Sequence, residues 1–167
     1  GFCYAVCILL RMDRKARPWV AVWIGIAAVC CLYVAIEEVS WGQTFFQWRT
    51  PEFWREVNYQ QETNIHNSNS WFNQKPRLLL EIGVIVGGLI IPLLRRFKPA
   101  WLPQRFNMIY PPAILSVTAG VYVGFKLTDH LARHVFHVDP FARPSEVEEL
   151  FLFYFVLMYL LVMKGRL

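Results

Sequence analysis

The chain has 167 residues, is 56% hydrophobic and 16% aromatic, and carries a formal charge of +5. Only 17% of its residues are charged, against about 25% in soluble domains, which leaves an integral membrane protein or an unusually apolar core. Disorder is excluded by the apolar content, and four cysteines in this length do not make a disulfide-stapled secreted module.

Residues 1–10 are apolar, but as a helix they cover roughly 15 Å, about half a bilayer core. They are expected to form a partial span, the tail of a helix that starts before Gly1. No basic leader and no small-residue cleavage site marks a signal peptide. Longer apolar runs follow, near the roughly 20 residues that a bilayer requires. Full spans are expected over about 19–40, 78–94 (interrupted only by Glu81), 106–128 and 146–163. The expected fold is all-α: one membrane domain over 1–167, a helical bundle of four full spans plus the partial one. The long loop 41–77 is expected to hold a short interfacial helix. There Thr50 would be the N-cap and Pro51 the first helical residue, with Phe53, Trp54 and Val57 at helical spacing.

Ten of the 17 basic residues lie in three short segments: Arg11, Arg14, Lys15, Arg17; Arg95, Arg96, Lys98, Arg105; and Lys164, Arg166. Positive-inside counting puts these segments, and the C-terminus, in the cytoplasm. The loop 41–77 then faces the other side of a bacterial inner membrane. Eleven of the 12 acids and all four histidines fall in the outer connections or outer helix ends. The tryptophans suit an interfacial belt, with Trp41, Trp48, Trp54 and Trp71 outside and Trp19 and Trp101 inside.

Several segments carry ionisable groups to this outer level. Glu37 and Glu38 close the first full span, ahead of Ser40 and Gln43. Adjacent carboxylates after an apolar run must be paired, hydrated or metal-bound. The loop continues with Asn58, Glu62, Asn64, His66 and Asn67, and Glu62 and His66 share a face if helical. Asp129, His130 and His134 end the next-to-last span, the two histidines at a spacing that can hold one metal. Glu146 and Glu149 open the last span, where Ser145 and Glu148 fit a capping box. Glu37, Glu38, Glu62, His66, Glu146 and Glu149 are therefore candidates for a divalent-metal site (iron, manganese or zinc) or for a polar cluster. In the second case Gln43, Asn58, Asn64 and Asn67 tie the loop to the helix ends. Arg77 is the expected partner of Glu81, and Lys126 and Arg133 are expected to snorkel.

The string Glu37 to Gln43, with Asn58 to Asn67 about twenty residues later, resembles a group of uncharacterised bacterial polytopic membrane proteins. The same group has a Glu-x-x-Glu pair opening a later span, matched here by Glu146 and Glu149. The resemblance covers about a third of the chain and implies a fold and a location, but no activity. A looser similarity joins Glu37, Ser40, His66, Asp129, His130 and His134 to the residue types of alkaline-ceramidase-like membrane hydrolases. Those proteins have seven spans and different spacing.

No Gly-rich phosphate loop or Gly-x-Ser-x-Gly elbow is present, and the basic residues suit lipid headgroups and not nucleic acid. Two functions are expected from the sequence. One is a non-catalytic or accessory subunit that meets other membrane subunits in a larger complex. The other is a metal-dependent membrane hydrolase or oxidase with its metal at the outer face.

Overall fold

Helices take up most of the apolar sequence, because a helix satisfies its backbone groups within one segment. The computed structural model describes residues 1–58, 60–65, 68 and 70–167, without the side chains of 70–74. Among the described residues there is no strand. The chain forms two compact units, Gly1–Leu80 and Glu81–Leu167.

In the first unit, α1 (Phe2–Arg11) packs on α2 (Pro18–Glu38). Ala5 and Ile8 of α1 and Val20, Ile24 and Ala28 of α2 are buried, each set at helical spacing. Asp13 forms the turn between them, its carboxylate accepting from the Lys15 and Ala16 amides at 3.0 and 3.2 Å. After α2 come a 3-10 turn (Ser40–Gly42) and the short helices α3 (Gln43–Phe46) and α4 (Glu52–Val57). A short helix is thus present in the loop where one was expected, but its start differs. Pro51 is the N-cap, and the Thr50 hydroxyl turns away to donate to the Gln61 carbonyl at 2.7 Å. Helix α5 (Ser70–Ile85) starts in this unit and ends in the second.

A π turn (Val86–Ile90) joins α5 to α6 (Ile91–Phe97). Pro92 explains it: proline lacks an N–H and its ring clashes with the carbonyl four residues earlier, so the helix widens there. Helix α7 (Leu115–His134) packs against α8 (Pro144–Arg166). Leu115, Ala119 and Tyr122 of α7 and Leu152, Phe155, Tyr159, Leu160 and Met163 of α8 are buried in the core of this unit. Gly88 lies where a Cβ would fall on the Ala119 methyl and 2.8 Å from the Phe155 ring.

Among the described residues two helices are long and apolar enough to cross a membrane, Pro18–Glu38 and Lys75–Phe97. Most of the apolar window of each is unburied, unlike the core helix of a soluble domain. Helices α7 and α8, of 20 and 23 residues, are not among them, so within the described residues two of the four expected spans are long and apolar enough to cross. The expected span 106–128 is displaced. Residues 106–114 form turns around Pro111 and Pro112, and the helix runs from Leu115 to His134.

Candidate functional site: a polar clasp at the end of α2

The chain leaves α2 through three consecutive left-handed residues, Ser40 (φ 48°), Trp41 (φ 56°) and Gly42 (φ 99°). Glycine accepts this conformation freely, whereas serine and tryptophan adopt it at a cost of about 1–3 kcal/mol each, so the surroundings must hold them. Hydrogen bonds do so from both sides. The Trp41 indole donates to Glu37 Oε1 at 2.7 Å, and the Ser40 hydroxyl donates to Glu62 Oε2 at 2.6 Å. The Ser40 carbonyl lies 2.9 Å from the Thr63 hydroxyl.

The loop folds back on this turn. Glu37 Oε2 accepts from the Ile65 amide at 2.8 Å. Asn64 Nδ2 donates to Glu62 Oε2 at 2.8 Å and to Ser40 Oγ at 3.1 Å. Asn58 Nδ2 donates to both the carbonyl and Oδ1 of Asn64, at 2.8 and 2.7 Å, while its Oδ1 accepts from the Gln60 and Glu62 amides. Gln43 links two stretches of loop: its Oε1 accepts from the Thr63 amide at 2.8 Å, and its Nε2 donates to the Trp48 carbonyl and to Thr50 Oγ1. Glu37, Ser40, Asn58, Thr63 and Asn64 are buried. Among the described residues no buried side-chain polar atom lacks a partner.

The structure thus brings together Glu37, Ser40, Gln43, Asn58, Glu62 and Asn64 of the expected set. Glu38, the other half of the carboxylate pair, is exposed. His66 and Asn67 lie outside the described residues. Thr50, Thr63 and Trp41 are members that the sequence reading missed. Trp41 and Thr63 lie within the two motif strings, which was the available signal, whereas Thr50 lies between the strings.

The remaining candidates belong to the second unit. Asp129 is buried and accepts from Arg133 at 3.1 Å. His130 and His134 are exposed, with ring centroids 4.2 Å apart. Glu146 is exposed and pairs with Arg143 at 2.8 Å, and Glu149 is half-buried. The expected capping box is absent. Pro144 takes the first helical position, which it favours, so Arg143 is the N-cap and no side chain caps the helix. The inward carboxylate of α8 is instead Glu148, in line with buried Leu152, Phe155 and Tyr159. Lys126 of α7 holds it at 3.6 Å, pairs with Glu81 and donates to the Tyr122 hydroxyl at 3.2 Å. Lys126 therefore joins three helices. The spacing of Glu148 from the buried aromatics was the signal for it.

Among the described residues no group of three or more His, Cys, Asp or Glu side chains is arranged to hold a metal ion. The clasp residues are donors and acceptors matched to one another, an arrangement that fixes a loop against a helix end. Compared with known proteins, the chain matches no family model, no curated protein and no solved structure.

Proposed function

We propose that the protein is a multi-pass membrane protein of a bacterial inner membrane and a non-catalytic or accessory subunit of a larger membrane complex. In this reading α2, the helix through Lys75–Phe97, α7 and α8 all cross, with α1 as the partial span. The C-terminus is cytoplasmic, and the clasp sits at the opposite face. The unburied apolar side chains of α2, among them Val22, Ile26 and Val29, support contact with lipid or neighbouring helices. Fellow members of the resembling group are expected to share the clasp.

One observation carries the subunit reading. The clasp consumes its own polar groups, while the residues it frames, Phe45, Phe46, Trp48 and Phe53, remain exposed. A rigid turn that presents aromatic side chains outside the apolar helices suits protein docking, because aromatic residues are enriched at interface cores.

The test is the native mass of the protein extracted in mild detergent. Migration in a discrete larger complex is expected, with Phe46→Ser and Phe53→Ser releasing the free chain. A monodisperse single chain holding stoichiometric iron, manganese or zinc, with the metal lost in His66→Ala, would replace this reading by the metal-dependent enzyme.

A further inference from the structure

The end of the second unit opposite its Glu81–Lys126–Glu148 triad has a different chemistry. No Asp or Glu occurs from residue 82 to 128, a stretch that contains Arg95, Arg96, Lys98 and Arg105. All four cations are exposed, and so are Phe97 and Trp101 between them.

The backbone there is fixed. Lys98 ends α6 with its amide on the Leu94 carbonyl at 2.8 Å, and two 3-10 turns follow, Pro99–Trp101 and Gln104–Phe106. Lys98 Nζ sits 4.3 Å from the Trp101 ring centroid, and the Arg105 guanidinium carbon sits 4.6 Å from that of Phe106. Each cation is thereby held beside an aromatic ring. The end of α8 locks the following strip: Arg166 donates to the Met108 and Tyr110 carbonyls at 3.3 and 2.7 Å, and Tyr159 donates to the Ile109 carbonyl at 2.7 Å.

We propose that residues 95–105 form a docking surface for the headgroups of anionic phospholipids. Charge complementarity selects this occupant: four exposed cations with no carboxylate in their own segment attract phosphate-bearing groups. Exposed aromatic rings beside them suit the boundary between headgroups and acyl chains. The surface is continuous with Lys75–Phe97, a helix able to cross a bilayer, which ends at Phe97 itself. The inference rests on the membrane reading given above.

The experiment mixes the purified full chain with equimolar phosphatidylglycerol and phosphatidylcholine in detergent and counts the lipids that remain bound. Phosphatidylglycerol is expected to exceed phosphatidylcholine several-fold, with the excess shrinking as salt rises. Joint replacement of Arg95→Gln, Arg96→Gln, Lys98→Gln and Arg105→Gln is expected to bring the ratio to parity. Arg105→Gln alone should give a partial loss. A wild-type ratio near one, a ratio indifferent to salt, or an unchanged ratio in the fourfold variant would overturn the proposal. Alkaline extraction of native membranes separates the two ideas: a chain released into solution overturns the membrane reading, whereas an unreleased chain without lipid preference overturns this inference alone.

Discussion

The Ser40 hydroxyl donates to Glu62 Oε2 across 2.6 Å, joining the end of α2 to a loop residue 22 positions later. The same oxygen accepts from Asn64, so one carboxylate sets both the left-handed turn and the returning loop. Glu62→Ala removes the acceptor for two donors, one on a buried serine and one on a buried asparagine. A loss of about 1–3 kcal/mol is expected, the cost of leaving buried donors without partners. Glu62→Gln should lose less, because its carbonyl still accepts. A double-mutant cycle with Ser40→Ala, read by denaturation in detergent, should show coupling of at least about 0.5 kcal/mol. Strict additivity would mean that the two side chains do not act together.

Parts of this arrangement were legible in sequence and parts were not, for physical reasons. The clasp lies in two strings dense in amides and carboxylates, and Gln43, Asn58, Glu62 and Asn64 were drawn from those strings. Which of Glu37 and Glu38 turns inward depends on the left-handed path through Ser40 and Trp41, which residue types do not announce. The uncharged run from 106 to 125 read as one helix because hydropathy does not register Pro111 and Pro112. Glu148 was read as part of a capping box, but Pro144 moved the helix start and turned that carboxylate to the core.

Gly88 offers a test of the packing in the second unit. A methyl there would overlap Ala119 and crowd Phe155, so Gly88→Ala should cost about 1–3 kcal/mol despite the better helix propensity of alanine. Gly83, with open space at its Cβ, makes the control: Gly83→Ala should be neutral or stabilising by up to about 1 kcal/mol. Thermal unfolding of both variants checks the contrast. Equal effects would show that the π turn does not approach α7 and α8 as described.

The proposed orientation makes a separate prediction. Reporters fused after Arg96 and after Leu167 should both read cytoplasmic, and one fused after Arg49 should read the opposite side. The cations at Arg11, Arg14, Lys15 and Arg17 are expected to hold the shortest fusion in the same orientation as the full chain. A non-cytoplasmic signal after Arg96 would invert the assignment of the clasp and of the basic surface together.

Lys126 provides the sharpest test of unit two, because its ammonium serves carboxylates on two other helices. Glu81 and Glu148 have side chains only 12% and 10% exposed, whereas that of Lys126 is 43% exposed. Lys126→Met would leave two largely buried carboxylates without their shared cation. Breaking a fully buried ion pair costs about 3–5 kcal/mol, and partial exposure of the lysine lowers the expected loss to about 2–3 kcal/mol. Adding Glu81→Leu and Glu148→Leu should recover much of that stability, since removing all the charges also removes their desolvation penalty. Unfolding in detergent measures both steps. If Lys126→Met proved neutral, the triad would have no structural weight; if the triple variant fell further than the single one, the other contacts of the two carboxylates would outweigh their pairing with the lysine.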